Sequence, residues 1–282
     1  MKFWQTSKRQ ISLEKTLVMA ILNVTPDSFS DGGRFNAIDS ALKQTEKLIS
    51  EGADILDIGG ESTRPNSAGV SIEEEKRRVV PIIEAITKRF EIPISIDTSK
   101  SKVAEAAVNG GAEIINDVSG LRFDEKIGKV AVKYKTGLVL MHLRGEFETM
   151  HTQEPVAEIL SEVSNGFCWS IEKAKSFGVT DNQISLDIGI GFSKTFEQNL
   201  ELLAKLDKLI ENFPNYPMLV GTSRKSFIGK ILNEPNAEKR LSGGLSSIAI
   251  AVFNGAKIIR VHDVKESVDA IRVAEAIKNW SD

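Results

Sequence analysis

Leu17-Val-Met-Ala-Ile-Leu-Asn23 is six apolar residues in a row ending on a side-chain amide. A strand with one wet face would alternate apolar and polar residues. A run apolar at every position suits a strand buried on both faces, as in all-parallel sheets. A strand over Thr16–Val24 is predicted. Seven later stretches share this build. They are Asp54-Ile-Leu-Asp-Ile-Gly-Gly-Glu61, Ile94-Ser-Ile-Asp97, Glu113-Ile-Ile-Asn-Asp117, Gly137-Leu-Val-Leu-Met-His142, Ile184-Ser-Leu-Asp187, Met218-Leu-Val-Gly-Thr-Ser-Arg-Lys225 and Lys257-Ile-Ile-Arg-Val-His262. Each finishes on a residue capable of chemistry. A closed barrel of parallel strands gathers its strand ends at one rim, where such barrels build their active sites. The expected fold is therefore α/β, a single (β/α)8 TIM barrel. An open doubly wound sheet is the alternative that periodicity alone leaves standing.

The segments between the runs read as helices. Residues 37–50 carry apolar positions near helical spacing, with Gly52 just beyond. Ser71 and Glu74 predict a capping box. Another helix ends at Asn109-Gly110-Gly111. An excursion over 143–155 precedes a helix running to about Phe177. Leu200, Leu203, Leu206 and Ile210 are expected on one helical face, and Val268, Ile271, Ala274 and Ile277 on another. Ahead of the first strand, Phe3-Trp4 and Ile11-Ser12-Leu13 flank Ser7-Lys8-Arg9. This predicts a short N-terminal hairpin plugging the barrel bottom.

The 282 residues suit one such barrel, which takes about 250, and no composition shift marks a linker, so one domain over 1–282 is expected. Apolar and charged contents of 41% and 27% are ordinary for a globular chain. A net charge of -3 argues against a nucleic-acid partner. No apolar run approaches the ~20 residues of a membrane helix, and residues 1–15 lack the apolar core of a secretory signal. The single cysteine, Cys168, excludes an intrachain disulfide and points to a reducing, cytoplasmic setting. With only three histidines, a structural zinc site is not expected.

Several rim residues stay open on their own chemistry. Asp97 stands before Thr98-Ser99-Lys100 and could be a helix N-cap. Asp187 is a poorer cap, because Gly189 and Gly191 push the next helix further on. Arg260 and His262 lie two apart and share a strand face. They could clamp a diphosphate, or be an Arg paired with a structural carboxylate beside a solvated His. His142 and Glu61 receive no role. The loop Asn23-Val-Thr-Pro-Asp-Ser-Phe-Ser-Asp-Gly-Gly33 combines hydroxyls, carboxylates and the lone aromatic Phe29.

That loop resembles the signature of the dihydropteroate synthases, a folate-pathway group within the pterin-binding family. Asp57-Ile-Gly-Gly-Glu-Ser-Thr-Arg-Pro65 is similar to the family's second loop. Ser95-Ile-Asp-Thr98, Ile115-Asn-Asp-Val118, Met141-His142, Ser223-Arg-Lys-Ser226 and Arg260-Val-His-Asp263 also resemble family segments, in family order. The resemblance implies a reaction in which 6-hydroxymethyl-7,8-dihydropterin pyrophosphate and p-aminobenzoate are joined, pyrophosphate is released and Mg²⁺ is required. It implies a pterin on Asp97, Asn116, Asp187 and Lys225, and a diphosphate on Thr63, Arg64, Arg260 and His262. It further implies aminobenzoate against Phe29, Pro65, Lys225 and Ser226, Mg²⁺ on Asn23, and a homodimer. The chemistry expected is dissociative, with the electron-rich pterin expelling pyrophosphate as a stabilised cation. The chain departs from the family at Asn66-Ser67-Ala68 in loop two, and at Phe147, Ile188 and Ser193, all of which bear on loop shape. A methyltetrahydrofolate-dependent methyltransferase and a non-catalytic pterin-binding paralogue are the rival readings. The first has no use for a diphosphate clamp.

Overall fold

The computed structural model describes residues 1–24, 33–63, 67 and 69–280, with backbone alone for 33–36. Strands β1 (Phe3–Gln5) and β2 (Gln10–Ser12) form an antiparallel hairpin. Eight further strands follow: β3 (Leu17–Asn23), β4 (Ile55–Gly59), β5 (Ile94–Asp97), β6 (Ile114–Asp117), β7 (Gly137–Met141), β8 (Ile184–Asp187), β9 (Met218–Val220) and β10 (Ile258–Val261). They run parallel in chain order, and β10 closes onto β3 with Ile258 opposite Leu17. Closure removes the open-sheet alternative.

Ten helices wrap the described barrel: α1 (Gly33–Ser50), α2 (Ile72–Arg89), α3 (Ser101–Gly110), α4 (Lys126–Tyr134), α5 (Ile159–Phe177), α6 (Phe196–Ala204), α7 (Leu206–Asn212), α8 (Ser226–Leu232), α9 (Leu241–Phe253) and α10 (Val264–Lys278). None is long and apolar enough to cross a membrane. Three local expectations are corrected. The sixth helix breaks at Lys205, whose backbone leaves helical geometry. The break shifts the helical phase, so Leu200 is exposed while Leu202, Leu203, Leu206 and Leu209 are buried. At α10, Ile271 and Ala274 are buried, but Ile277 faces out at 63% exposure. At α2, Ser71 Oγ accepts from Glu74 N–H as a cap should. The Glu74 carboxylate instead pairs with Arg77 and Arg78, so only half the capping box forms.

Side-chain direction alternates along each strand, and the alternation sorts the interior. Leu56 and Ile58, Ile94 and Ile96, Leu138 and Leu140, and Val220 face the helices in the main core. Met19, Ile55, Ile114, Val139, Leu219 and Ile258 point inward and form an apolar floor with Trp4 of the hairpin. Trp4 is fully buried and its indole donates to Gln183 O at 2.8 Å. Arg9 forks onto Glu113 at 3.1 and 2.8 Å, and Thr6 Oγ1 donates to the same carboxylate at 2.9 Å. The hairpin thus plugs the amino-terminal end. The charged groups inside the barrel, Asp57, Asp97, Asp187 and Arg260, lie above this floor, toward the opposite rim.

Candidate active site

One further step of the same alternation puts Asp57, Ser95 and Arg260 above the floor. Another puts Asp97, Met141, Asp187 and Gly221 at the rim, with Asn116 beside Asp97 in register. These strand ends open a cleft connected to solvent. Its polar wall is Thr63, Asp97, Asn116, Asp187, Lys225 and Arg260. Val118, Met141, Ile190 and Phe192 supply apolar surface. A flat heterocycle suits such a cleft, since its faces need apolar contact and its edge needs donors and acceptors.

Arg260 stands at the centre. Its Nε donates to Asp57 Oδ2 and one Nη to Asp97 Oδ2, both at 2.6 Å. Asp57 is fully buried, and the same oxygen also accepts from Asn116 Nδ2 at 3.0 Å. Burial lifts the Asp97 carboxyl to about 7, against the pull of Arg260 and with a push from Asp57. Burial also works against the Arg260 charge, but the carboxylates of Asp57 and Asp97 outweigh it and raise its pKa. Arg260 thus has the carboxylate partner that the sequence left open, and has two of them.

Asp187 is buried, and its Oδ1 accepts the Gly189 N–H at 2.8 Å. Burial raises its pKa, opposed by that hydrogen bond and by Lys225. The glycines behind it are required. Gly189 and Gly191 have φ of +64° and +81°. A Cβ at Gly189 would sit 2.1 Å from His142 O, and one at Gly191 would sit 3.0 Å from the Lys225 side chain. Lys225, just before α8, therefore reaches in over the Phe192 ring with Nζ 4.1 Å from its centroid. Burial, then the Arg260 charge, lowers the Lys225 pKa to about 8. Phe192 stacks in turn on His151, whose Nε2 lies 2.8 Å from Thr63 O. That contact ties loop two to the excursion after β7.

The remaining expected residues lie apart from this wall. Asn23 ends β3, in register with Gly59, which is in register with Asp97. A Cβ on Gly59 would fall 3.8 Å from Asn23 Oδ1 and 3.7 Å from Asp97 Oδ2, so the glycine leaves a gap between these two oxygens. His262 contacts Ser223 Oγ through Nδ1 at 3.1 Å, beyond the cleft lining. Ser226 is exposed at the start of α8. Phe29, Arg64 and Pro65 lie outside the described residues.

The two unassigned rim residues gain structural partners. Glu61 accepts from Lys100 Nζ at 2.7 Å and from Val70 N–H at 2.6 Å, which anchors the return of loop two. His142 is buried, and burial holds its pKa well below the usual value, so it is neutral. Its Nδ1 lies 3.1 Å from Lys194 Nζ, which also donates to His142 O and Phe192 O. Burial lowers Lys194 to about 7. Sequence reasoning missed Lys194, Phe192 and Asp57. The signal for Asp57 was strand parity, since it shares a face with Ile55 and Gly59.

The departures at Phe147, Ile188 and Ser193 are absorbed locally, while Asn66 and Ala68 lie outside the described residues. Ser193 adopts φ +53°, a left-handed conformation in which glycine is at ease. Its hydroxyl accepts from Arg144 N–H at 2.9 Å and lies 2.9 Å from both Arg144 O and Met150 O. Those bonds offset the backbone cost and hold the excursion in place. Ile188 is fully buried, and Phe147 lies against Gly69 of loop two.

Residues 19–262 match the model of the family described as pterin binding enzyme. The dihydropteroate synthase of Clostridium beijerinckii is 49% identical over 265 residues, 94% of this chain and 95% of that protein. A Clostridium difficile dihydropteroate synthase structure obtained with pteroic acid is 44% identical with a TM-score of 0.88, covering 94% of this chain and 97% of its own. A Yersinia pestis dihydropteroate synthase in a sulfonamide complex is 40% identical with a TM-score of 0.91, covering 99% of this chain and 100% of its own.

Proposed function

Since the chain belongs to the pterin-binding enzyme family, we infer that it is a dihydropteroate synthase, joining 6-hydroxymethyl-7,8-dihydropterin pyrophosphate to p-aminobenzoate with release of pyrophosphate. The observation that carries this reading is the convergence of Asp97, Asn116, Asp187, Lys225 and Arg260 on one cleft at the strand ends. A pterin presents an amino group and a ring N–H side by side, and carboxylates accept from both. Asp187 and Asp97 supply such acceptors. Lys225 offers only donors and suits the pterin carbonyl or ring nitrogen. Met141 and Phe192 cover its faces. A methyltransferase of the same family would need the carboxylates but not cations at the rim.

The bond to pyrophosphate breaks as its electron pair leaves with the diphosphate and the pterin keeps the positive charge at its exocyclic carbon. The amine of aminobenzoate then attacks that carbon and loses a proton. Asp97 and Asp187 favour the cationic pterin, while the departing diphosphate is assigned to Thr63, Arg260 and His262, with Arg64 assigned by the sequence resemblance alone. The Nη donors of Arg260 that neither Asp57 nor Asp97 uses are available to the diphosphate. Aminobenzoate is assigned to Lys225 and Ser226, and to Phe29 and Pro65 by the sequence resemblance alone, in a pocket that must exclude water from the cation.

The donor set fits Mg²⁺ carried chiefly by the diphosphate. Asn23 supplies one neutral oxygen beside the gap at Gly59, and no cluster of three His, Cys, Asp or Glu exists among the described residues. Mg²⁺ usually binds through one or two protein ligands plus substrate phosphate, and it would neutralise charge on the leaving group. The test is purified protein with the pterin diphosphate and radiolabelled aminobenzoate. Dihydropteroate should form with Mg²⁺ and cease with EDTA. Pterin binding without product would favour the non-catalytic paralogue.

The shifted groups set a pH optimum. Below about 7 Asp97 takes up a proton and loses acceptor capacity, and above about 8 Lys225 loses the proton it donates. A bell-shaped kcat/KM for the pterin diphosphate between these limits is expected, because that ratio reports free-enzyme groups. Lys225→Arg should carry the alkaline limb out of range, since a guanidinium does not deprotonate there. An unmoved alkaline limb would assign it to another group. A homodimer is supported by exposed Ile250, Phe253 and Val273 on the mutually packed α9 and α10. Cytoplasmic location rests on the lone cysteine.

A further inference from the structure

Asp57 has no direct access to a ligand. It is fully buried and is absent from the cleft lining. Yet its Oδ2 accepts from two residues of that lining, Arg260 Nε at 2.6 Å and Asn116 Nδ2 at 3.0 Å, reaching from β4 to β10 and to β6. A carboxylate paired to a guanidinium has only acceptors to offer. The Asn116 amide must therefore turn its NH₂ toward Asp57. Its Oδ1 is then the atom left over, and that oxygen is buried with no hydrogen-bond partner among the described residues. An amide is otherwise free to present either end to a heterocycle edge. Here the choice is made by a side chain behind the wall.

We propose that Asp57 is a positioning residue of the pterin pocket, whose one oxygen fixes the Arg260 guanidinium and the Asn116 amide so that Asn116 meets its ligand as an acceptor. The ligand group recognised at Oδ1 is an N–H or amino group, while the second N–H of the same amide is left for a neighbouring acceptor. This inference rests on the reading of the cleft as the pterin site. It adds a residue that selects the polarity of the site without touching substrate.

A double-mutant cycle tests it. Asp57→Asn keeps the shape, but its amide cannot accept from both Arg260 and Asn116 while turning an NH₂ to either, and it should weaken binding of the pterin diphosphate, measured by calorimetry with Mg²⁺, about tenfold or more. Asn116→Ala should weaken the same binding about a hundredfold. With Asn116 gone there is no amide left to orient, so adding Asp57→Asn to Asn116→Ala should cost clearly less than it does in wild type, a non-additive cycle. A residue that merely packs the barrel would give additive losses, and additivity overturns the proposal. So does an Asp57→Asn chain that fails to fold, because the residue would then serve the barrel and not the pocket. Absence of pterin binding by the wild-type chain would instead sink the reading of the cleft itself.

Discussion

Arg260→Met is expected to lower stability by about 3–5 kcal/mol and kcat/KM for the pterin diphosphate by at least about a thousandfold. The first effect follows from what remains. Asp57 and Asp97 would stay in the barrel with no guanidinium between them. Breaking a buried ion pair by removing one partner leaves an uncompensated charge, which costs more than the pair contributed. The pH dependence has a definite sign. Without Arg260 the folded-state pKa of Asp97, already raised by burial, rises further above its unfolded value. The folded state then holds a proton that the unfolded state releases, so stability is retained in acid and lost as pH climbs through the folded pKa. The melting deficit against wild type should widen from pH 5 to pH 8. Arg260→Lys keeps one charge but lacks the fork that spans both carboxylates, and should recover more stability than activity. An equal deficit at both pH values would show that the two aspartates do not depend on Arg260.

Asp187→Asn should leave the fold intact and reduce pterin affinity by about a hundred- to a thousandfold. The Asp187 Oδ1 bond to Gly189 N–H survives in an amide whose oxygen keeps that place. The NH₂ group then replaces the second carboxylate oxygen and meets pterin donors with a donor. Loss of the negative charge also removes one counterion of Lys225. Stability should hold or increase, because burial penalises the Asp187 charge in the free protein. Binding calorimetry alongside thermal melting separates the two. Near-native pterin affinity in Asp187→Asn would mean that the pterin edge is read elsewhere.

Much of this was legible before the structure, for a physical reason. The apolar runs are continuous because parallel strands in a barrel are dry on both sides, and their polar ends mark the rim. Asp97, Asn116, Asp187, Lys225 and Arg260 stood at such ends and meet in one cleft. Asp57 was passed over because it lies inside a run, where a carboxylate reads as an interruption. Its meaning depends on Arg260, 203 positions away in sequence. Lys194 and Phe192 were illegible for a related reason. Their placement follows from backbone turns at Gly189, Gly191 and Ser193, which periodicity does not encode. The break at Lys205 likewise reflects packing, which overrode a pattern that continues smoothly in sequence.

The hairpin at the barrel floor has a bearing on the order of folding. Its fixed contacts run to Glu113 and to Gln183, 107 and 179 positions downstream. A ribosome releases residues 3–12 long before either partner exists, and a two-stranded hairpin alone is at best marginally stable in water. Trp4 must therefore wait as an exposed indole until β8 has emerged, and contacts of such long loop closure form slowly. The hairpin is made before its partners and set after them, so docking of Trp4 reports completion of the barrel. Its fluorescence would rise to the native value only in the final kinetic phase.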